Sequence, residues 1–392
     1  MNVQRRRFGW VLCALAYVAF AGHAAAVQGD AGTEYLPPGY RPPAGSDENG
    51  LWSMMDRSER NFAQSRFVIR DADINAYLRD VACRLAEPYC PEMRIYLVRT
   101  AQFNASMAPN GMMEVWTGLL LRCIDEAQLA AVIGHEMGHY LRRHTVKLWR
   151  DARGKADFGA FLGLGLAVAG LGAAAPAANL ALVATTFSFS RDMEREADHV
   201  GLELMTKAGY SPLAAAEVWE QLIAELNASG AQRSKPLLFA THPETEERMK
   251  TLRVAGSQMA GIGQERGRER YLAKLSGIRG RLVADELALR QYARSSVVFD
   301  RLLAQVPDDG VLWYAKGEVY RLRAESGDAE RALSAYQRAT ETANVPPETW
   351  RSIMQVELKI GSRDRAQAAF DEYLRRKPEA NDADALRSLL PR

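Results

Sequence analysis

The sequence predicts an α+β domain, mostly helical with a small sheet, followed by an all-α domain of helical repeats. Its 392 residues exceed the usual size of one domain. Helical and strand-like runs are mixed in the first two thirds of the chain, whereas from about Arg266 onward the pattern is almost wholly helical. We therefore expect a signal peptide at 1–26, a linker at 27–50, a first domain at 51–262 and a repeat domain at 263–392.

The first residues have the pattern of a secretory signal. Residues 5–7 are three arginines, residues 8–21 are apolar, and Ala24 and Ala26 give the small-x-small pattern that precedes a cleavage site. We expect cleavage near Ala26; the alternative is a short membrane anchor that is never cut. Cleavage predicts a periplasmic protein, which can also associate with a membrane.

The composition is that of an ordinary globular protein, with 47% hydrophobic and 25% charged residues. The formal net charge is only +2, so the strongly basic face typical of nucleic-acid binding is not expected. Three cysteines follow the signal. Cys83 and Cys90 are candidates for a disulfide in an oxidising compartment, and Cys123 is expected to be a small buried hydrophobe.

The first domain is expected to become ordered near Leu51, after a linker rich in proline and glycine. Apolar residues recur at helical spacing over 74–85. Residues 93–98 and 112–116 are predicted to be strands. A long helix is predicted over 125–147, since acidic residues open it and basic residues close it.

The second domain contains sets of small and large residues typical of tetratricopeptide repeats of about 34 residues. The two tryptophans of these sets, Trp313 and Trp350, are 37 positions apart, which requires a short insertion after Arg323. The first set is Trp313, Gly317, Tyr320, Ala332, Tyr336 and Ala339; the second is Trp350, Ala366, Phe370, Tyr373 and Pro378. The alternative is a plain helical bundle.

The motif His-Glu-Met-Gly-His at residues 135–139 is the strongest chemical signal in the chain. Residues four apart share one face of a helix, so His135 and His139 can bind one Zn²⁺ ion. Glu136, between them, can accept a proton from a metal-activated water. The apolar run at 129–133 predicts a buried helix, where unpaired imidazoles would be costly.

A carboxylate from a later helix is the predicted third ligand. A third histidine six residues after the second is excluded by Thr145, and His144 would lie about 140° around a continuous helix from His139. Glu194 can bind the metal, while Asp198, four residues later, can accept the free N–H of a ligand histidine. Glu196 is predicted to point away and to be solvated.

Residues 158–178 contain no charge and have the length of a membrane span. A single crossing would separate Glu194 from His135, and the interval is too short for two crossings. We therefore predict that 158–187 forms a buried or interfacial helical hairpin near the site, with peripheral membrane contact.

The ligand pattern resembles the gluzincin family of the heat-shock protease HtpX and the CAAX prenyl peptidases. The matching stretches are residues 104–111, 117–120, 125–144, 190–201 and 241–243, with Arg248. The resemblance implies a zincin-like metalloprotease domain with one zinc ion per chain, held by His135, His139 and Glu194, and catalysis by Glu136. For the envelope members of the family it implies a periplasmic role in outer-membrane protein quality control, acting on unfolded or stalled outer-membrane proteins.

Two residues have more open roles. The resemblance implies that His242 caps the zinc and keeps the enzyme latent, although it could equally stabilise the oxyanion or be a polar loop residue. Arg248 is a weaker candidate for contacting substrate or charge. The strand at 112–116 is expected to hold peptide at a sheet edge, or else to be an ordinary core strand.

The alternative function is a chaperone or adaptor that acts mainly through the repeats, with a latent metal site, because repeat arrays form concave surfaces suited to partners such as an assembly machinery. A non-proteolytic zinc hydrolase is disfavoured, since the chain shows no small-substrate pocket signature.

Overall fold

The computed structural model describes residues 35–153, 189–229, 245–259 and 261–390, together with His242. The predicted signal peptide and the apolar segment 158–187 lie outside the described residues, so their predictions stay open. Residues Leu36–Arg392 form one compact unit. Among the described helices, none combines the length and apolarity that a bilayer crossing requires.

A four-stranded mixed sheet lies in the first half of the chain, in the order β1-β2-β4-β3. Its strands are β1 Val68–Ile69, β2 Arg94–Val98, β3 Ala105–Met107 and β4 Met112–Trp116. The pair β2–β4 is parallel and the other two pairs are antiparallel. The predicted strands at 93–98 and 112–116 are confirmed, whereas the short β1 and β3 were not predicted.

The prediction that residues 112–116 form the peptide-binding edge is wrong. Strand β4 has β2 on one side and β3 on the other, so both of its hydrogen-bonding edges are already used. The outer strand on this side is β3, which packs against the helix that carries the metal motif. The core-strand reading of residues 112–116 is the correct one.

Eight helices are described around this sheet. They are α1 Asp47–Ala63, α2 Ala72–Leu85, α3 Thr117–Arg122, α4 Glu126–Leu141, α5 His144–Arg153, α6 Arg191–Lys207, α7 Leu213–Ala228 and α8 Thr245–Met259. Helix α2 confirms the prediction over 74–85. Helix α1 begins four residues before Leu51, inside the predicted linker. Its first turn is capped by Ser46, whose hydroxyl accepts a hydrogen bond from Asn49 N.

The long helix predicted over 125–147 is instead two helices. Helix α4 ends at Leu141 and α5 starts at His144. Arg143, between them, has a φ of 58°, a left-handed conformation that breaks a helix. The carboxylate of Glu48, a buried residue of α1, forms an ion pair with Arg143. This tertiary contact fixes the turn in a run of residues that otherwise favours a helix.

Helices α4 and α6 pack closely because small residues face each other. A Cβ at Gly138 would lie 2.7 Å from the Ala197 carbonyl oxygen, and one at Gly134 would lie 3.3 Å from the Gly201 carbonyl oxygen. Both neighbours are backbone atoms, which cannot move aside as a side chain can. The glycines of α4 therefore allow the two motif-bearing helices to meet.

The second half of the chain is helical throughout its described residues, as predicted. It contains α9 Arg268–Leu275, α10 Arg279–Ala288, α11 Tyr292–Gln305, α12 Gly310–Arg323, α13 Asp328–Thr340, α14 Glu348–Lys359, α15 Arg363–Arg376 and α16 Ala383–Arg387. Gly317 of α12 lies against the ring of Tyr336 in α13, where a Cβ would meet a ring carbon at 2.2 Å.

The hydrophobic core continues across the predicted domain boundary at 262/263. One cluster of buried residues extends from Leu36 to Val319. Arg122, which is 97% buried, donates to Glu225 and Glu286 at 2.7 and 2.8 Å, and Arg301 donates to Glu225 at 2.5 Å. We call these four residues the junction network, because they tie α3 and α7 to α10 and α11.

The cysteines are arranged as the sequence suggested. Cys83 and Cys90 form a disulfide that joins the end of α2 to a 3₁₀ helix at Glu87–Glu92. Cys123 is a free, buried thiol.

Candidate active site

Helix α4 presents the motif from the interior of the protein. All sixteen of its residues are buried, as the apolar run before His135 predicted. Asp125 caps the start of the helix, and its carboxylate accepts a hydrogen bond from Gln128 N. His135, Glu136 and His139 therefore lie on a rigid element shielded from water, which suits a site that must hold its geometry.

Four side chains bring a ligand atom to one point. They are His135, His139, Glu194 and His242, and their ligand atoms all lie within 4.8 Å of one another. The Nε2 atoms of His135 and His139 are 3.1 Å apart. Glu194 Oε1 lies 3.6 Å from His139 Nε2, and Glu194 Oε2 lies 3.5 Å from His135 Nε2. His242 Nδ1 lies 3.3 Å from His135 Nε2 and 2.9 Å from Glu194 Oε1.

This arrangement fits a zinc ion. Ligand atoms about 2.0–2.1 Å from a tetrahedral Zn²⁺ ion are separated from each other by about 3.4 Å, close to the distances in the cluster. Imidazole nitrogen and carboxylate oxygen are also the donors that zinc accepts in catalytic sites. The residues present therefore fit the metal that the motif predicts.

The charges of the cluster also favour a cation. Burial alone would raise the pKa of Glu194, but His242, His135 and Arg248 outweigh it and hold this pKa below its ordinary value, so the carboxylate is ionised. Burial and the charge of His135 lower the pKa of His139, which keeps the His139 ring neutral. Burial and Arg248 lower the pKa of His135, but Asp198 and Glu194 outweigh them and raise it to about 9, so His135 must release a proton when it binds a metal.

His135 is fixed by a carboxylate behind it. Its Nδ1 lies 2.9 Å from Asp198 Oδ1. Arg248 holds that carboxylate with hydrogen bonds of 2.6 and 2.8 Å and lies 2.6 Å from Glu194 Oε2, while its guanidinium packs on the Trp219 ring. Arg248 thus joins Glu194 and Asp198 of α6 instead of reaching toward solvent, which does not favour direct contact with substrate.

Within the part of the chain that the structure describes, Glu136 has one carboxylate oxygen without a hydrogen bond at the centre of the site. Its Oε1 is buried and hydrogen-bonds to none of the described residues; the nearest basic atom is His242 Nε2 at 3.7 Å. Burial raises the pKa of Glu136, which makes it a stronger base than a solvated carboxylate.

Two contacts of the site have no counterpart among the sequence predictions. Glu196, predicted to be solvated, is only half-exposed and lies 2.9 Å from His144 Nε2, and His144 in turn contacts His139. Phe189 stacks on the His139 ring with the centroids 3.8 Å apart. The helix break at Arg143 brings His144 back to the site, and that break has no sequence signal.

A buried His-Glu-x-x-His helix joined by a glutamate from a second helix is the ligand arrangement typical of zinc metallopeptidases. The model of Peptidase family M48 matches residues 68–255, which confirms the family resemblance. This segment, from β1 to α8, is an M48 domain.

Relatives of this domain are known from bacteria and mitochondria. The Beta-barrel assembly-enhancing protease of Escherichia coli (strain K12) is 26% identical over 348 residues, which cover 84% of this chain and 66% of the relative. The Mitochondrial metalloendopeptidase OMA1 of Schizosaccharomyces pombe is 33% identical over 160 residues, 40% of this chain and 45% of the relative. The Beta-barrel assembly-enhancing protease of Yersinia pestis is 26% identical over 248 residues, 60% and 50% of the two chains. The chain thus spans just under two thirds of the first relative.

Proposed function

We propose that the chain is a zinc-dependent endopeptidase that cleaves unfolded or misassembled proteins of the bacterial envelope, as part of outer-membrane protein quality control. The observation that carries the proposal is the four-residue cluster with an unbonded Glu136 oxygen beside it. The substrate class is supported by the similarity to the bacterial relative, whose name describes a protease that enhances β-barrel assembly.

Each residue then has one role. One zinc ion, held by His135, His139 and Glu194, would make water nucleophilic near neutral pH and polarise the scissile carbonyl. Glu136 takes the proton from the attacking water and passes it to the leaving nitrogen. Asp198 fixes the ring of His135 through Nδ1.

His242 acts as a cap in this arrangement. A catalytic zinc site keeps one coordination position open, but His242 Nδ1 lies among the other three ligand groups, at the place of a fourth ligand. The conformation is therefore a latent one, and activity requires His242 to withdraw. Arg248, which is already occupied by Glu194 and Asp198, holds the carboxylates in both states.

Substrate would bind in extended form beside β3. This strand uses one edge for β4 and packs against α4, so a peptide added to its other edge would lie next to the motif helix. Main-chain hydrogen bonding of this kind needs an unfolded segment, which agrees with the proposed choice of substrates.

The helical half is proposed to be the tetratricopeptide-like repeat domain at 263–392, which presents substrates or binds an assembly-machinery partner. Two observations support this proposal. Helix α12 packs against α13 and α14 against α15, and the Tyr336 ring lies directly against Gly317. We place the protein in the periplasm after cleavage of residues 1–26, with membrane contact through 158–187. An adaptor acting through these repeats alone is the second candidate.

The test is cleavage of casein and of an unfolded β-barrel protein. Wild type and Glu136→Gln are compared with and without chelator, after metal analysis of both. We expect one zinc per chain in both proteins, with cleavage abolished in Glu136→Gln, and faster cleavage in His242→Ala than in wild type. Glu203→Gln, on the exposed side of α6, is the matched control and should cleave as wild type does.

Equal cleavage by Glu136→Gln and wild type would reject the endopeptidase assignment. If wild type and Glu136→Gln are both inactive, the His242→Ala variant provides the test, because removal of the cap should then allow cleavage. Persistent inactivity of that variant, with zinc bound, leaves the adaptor function as the better account.

A further inference from the structure

His139 has a second partner that the zinc chemistry does not explain. Its Nδ1 lies 2.9 Å from Nδ1 of His144. His144 is fully buried, and its other nitrogen, Nε2, lies 2.9 Å from Glu196 Oε2. Glu196 is held from its other oxygen by Arg142, at 3.0 Å. The four residues form a continuous chain from the centre of the site to the surface of α6.

The proton positions along this chain follow from elementary chemistry. A histidine that binds zinc through Nε2 keeps its proton on Nδ1, so His139 must donate at Nδ1. His144 Nδ1 is then the acceptor, and a neutral ring that accepts at Nδ1 carries its proton on Nε2. That proton points at Glu196, a carboxylate that can only accept. One set of tautomers therefore satisfies both 2.9 Å contacts with both rings neutral.

We infer that His144 and Glu196 are positioning residues that fix the tautomer and orientation of His139 for zinc. The inference rests on the proposed function, since it assigns His139 as a ligand. It parallels the way in which Asp198 holds His135, but with an imidazole inserted between the ligand and the carboxylate.

The backbone supports this role. In an unbroken helix His144 would lie about 140° away from His139 and could not reach it. The left-handed turn at Arg143 returns His144 to the site. Phe189 stacks on the face of the His139 ring. Phe189 therefore limits tilting of the His139 ring, and the hydrogen bond to His144 limits its rotation.

The alternative is that His144 is merely a buried histidine satisfied by Glu196, with His139 as an incidental neighbour. The two readings differ in what they predict for metal affinity. Loss of a second partner behind a ligand histidine weakens metal binding by about 10- to 100-fold. Loss of a structural histidine lowers the stability of the metal-free protein and leaves the affinity of the remaining folded protein unchanged.

The experiment measures the zinc dissociation constant by competition with a chromogenic chelator, in a Glu136→Gln background that prevents self-digestion. His144→Leu keeps bulk but cannot accept a hydrogen bond, whereas His144→Asn places an oxygen near the position of Nδ1. We expect zinc binding about 10- to 100-fold weaker for Leu and within about fivefold of the parent for Asn. The melting temperature of each metal-free protein is measured beside it.

Cobalt gives a second readout. With Co²⁺ in place of zinc, the visible absorption band should change in the Leu variant and stay near that of the parent in the Asn variant. Glu196→Gln, which still accepts from His144 Nε2, should weaken zinc binding less than His144→Leu, and it serves as the test should the Leu variant fail to fold.

Unchanged zinc affinity and an unchanged cobalt band in His144→Leu would overturn the inference, as would a lowered melting temperature without any effect on affinity. These outcomes leave the proposed function untouched. A parent protein that binds no zinc would instead overturn the proposed function, so the two failures are distinguishable.

Discussion

Gly138 sets how closely the two ligand-bearing helices approach. The change Gly138→Ala would place a methyl carbon 2.7 Å from the Ala197 carbonyl oxygen and 2.8 Å from its Cα, where ordinary contact begins at 3.4 Å. Because both contacts are to backbone, α4 and α6 must move apart by about 0.7 Å, while alanine gains about 1 kcal/mol over glycine in a helix. Overpacking of a core costs about 1–3 kcal/mol, so the net loss of stability is only about 0–2 kcal/mol.

The effect on metal binding is larger than the effect on stability. Metal–ligand distances tolerate changes of about 0.2 Å, less than the separation required here. The Glu194 carboxylate on α6 would move away from both histidines of α4, and we expect zinc binding to weaken by about tenfold or more.

The assay is chelator competition for zinc, together with thermal unfolding of the metal-free protein. Gly134→Ala is the matched control: it lies one turn away on the same helix, and its new carbon would meet the Gly201 carbonyl oxygen at 3.3 Å. It should bind zinc within about threefold of wild type, because little movement is required. If Gly138→Ala binds zinc as tightly as Gly134→Ala, close helix approach does not build the site.

Three further predictions follow from other parts of the molecule. Arg122→Met should destabilise the protein by about 3 kcal/mol in chemical denaturation, because it removes the buried cation shared by Glu225 and Glu286 and leaves each of these carboxylates with one arginine. Arg99→Met, which removes an ion pair whose arginine is half-exposed, should cost less than about 1 kcal/mol. Burial raises the pKa of Glu114 to about 7, above its unfolded value of 4.5, so the folded state binds the extra proton and stability falls as pH rises from about 4.5 to 7. Glu114→Gln should remove that slope in a pH series of urea titrations and stabilise the protein at pH 8 by about 1–2 kcal/mol; an unchanged slope would contradict it. Gly317→Ala should lower the melting temperature, since its Cβ would overlap the Tyr336 ring, and Tyr336→Leu in the same chain should restore part of the loss.

The parts of the site that the sequence predicts are those fixed by local geometry. His135 and His139 share a helix face because they are four residues apart, and the same spacing places Glu194 with Asp198. The buried character of α4 was equally local, since it follows from the apolar run before the motif. These relations require only that each segment forms a helix, and both α4 and α6 do so.

The remaining contacts depend on tertiary structure. The turn at Arg143 is held by Glu48, almost a hundred residues earlier, so nothing near His144 in the sequence predicts its return to the site. Strand β3 has only three residues and was too short to stand out by periodicity, so nothing in the sequence showed that β4 is paired on that side. Arg248 was only a weaker candidate for contacting substrate or charge, because its ion pairs with Glu194 and Asp198 join residues at least fifty positions apart and leave no local pattern.

The junction network has a consequence for how the halves of this protein can be studied. A chain shortened before α10 would keep the Arg122–Glu225 ion pair but remove Glu286 and Arg301, and it would expose to water a pair that the intact molecule buries. Such a fragment would be destabilised where the chain was cut. Its inactivity in a cleavage assay would then result from that destabilisation, not from the loss of a surface that binds substrate or partner. The role of the later helices is therefore better tested by point substitutions on their exposed faces in the full-length chain.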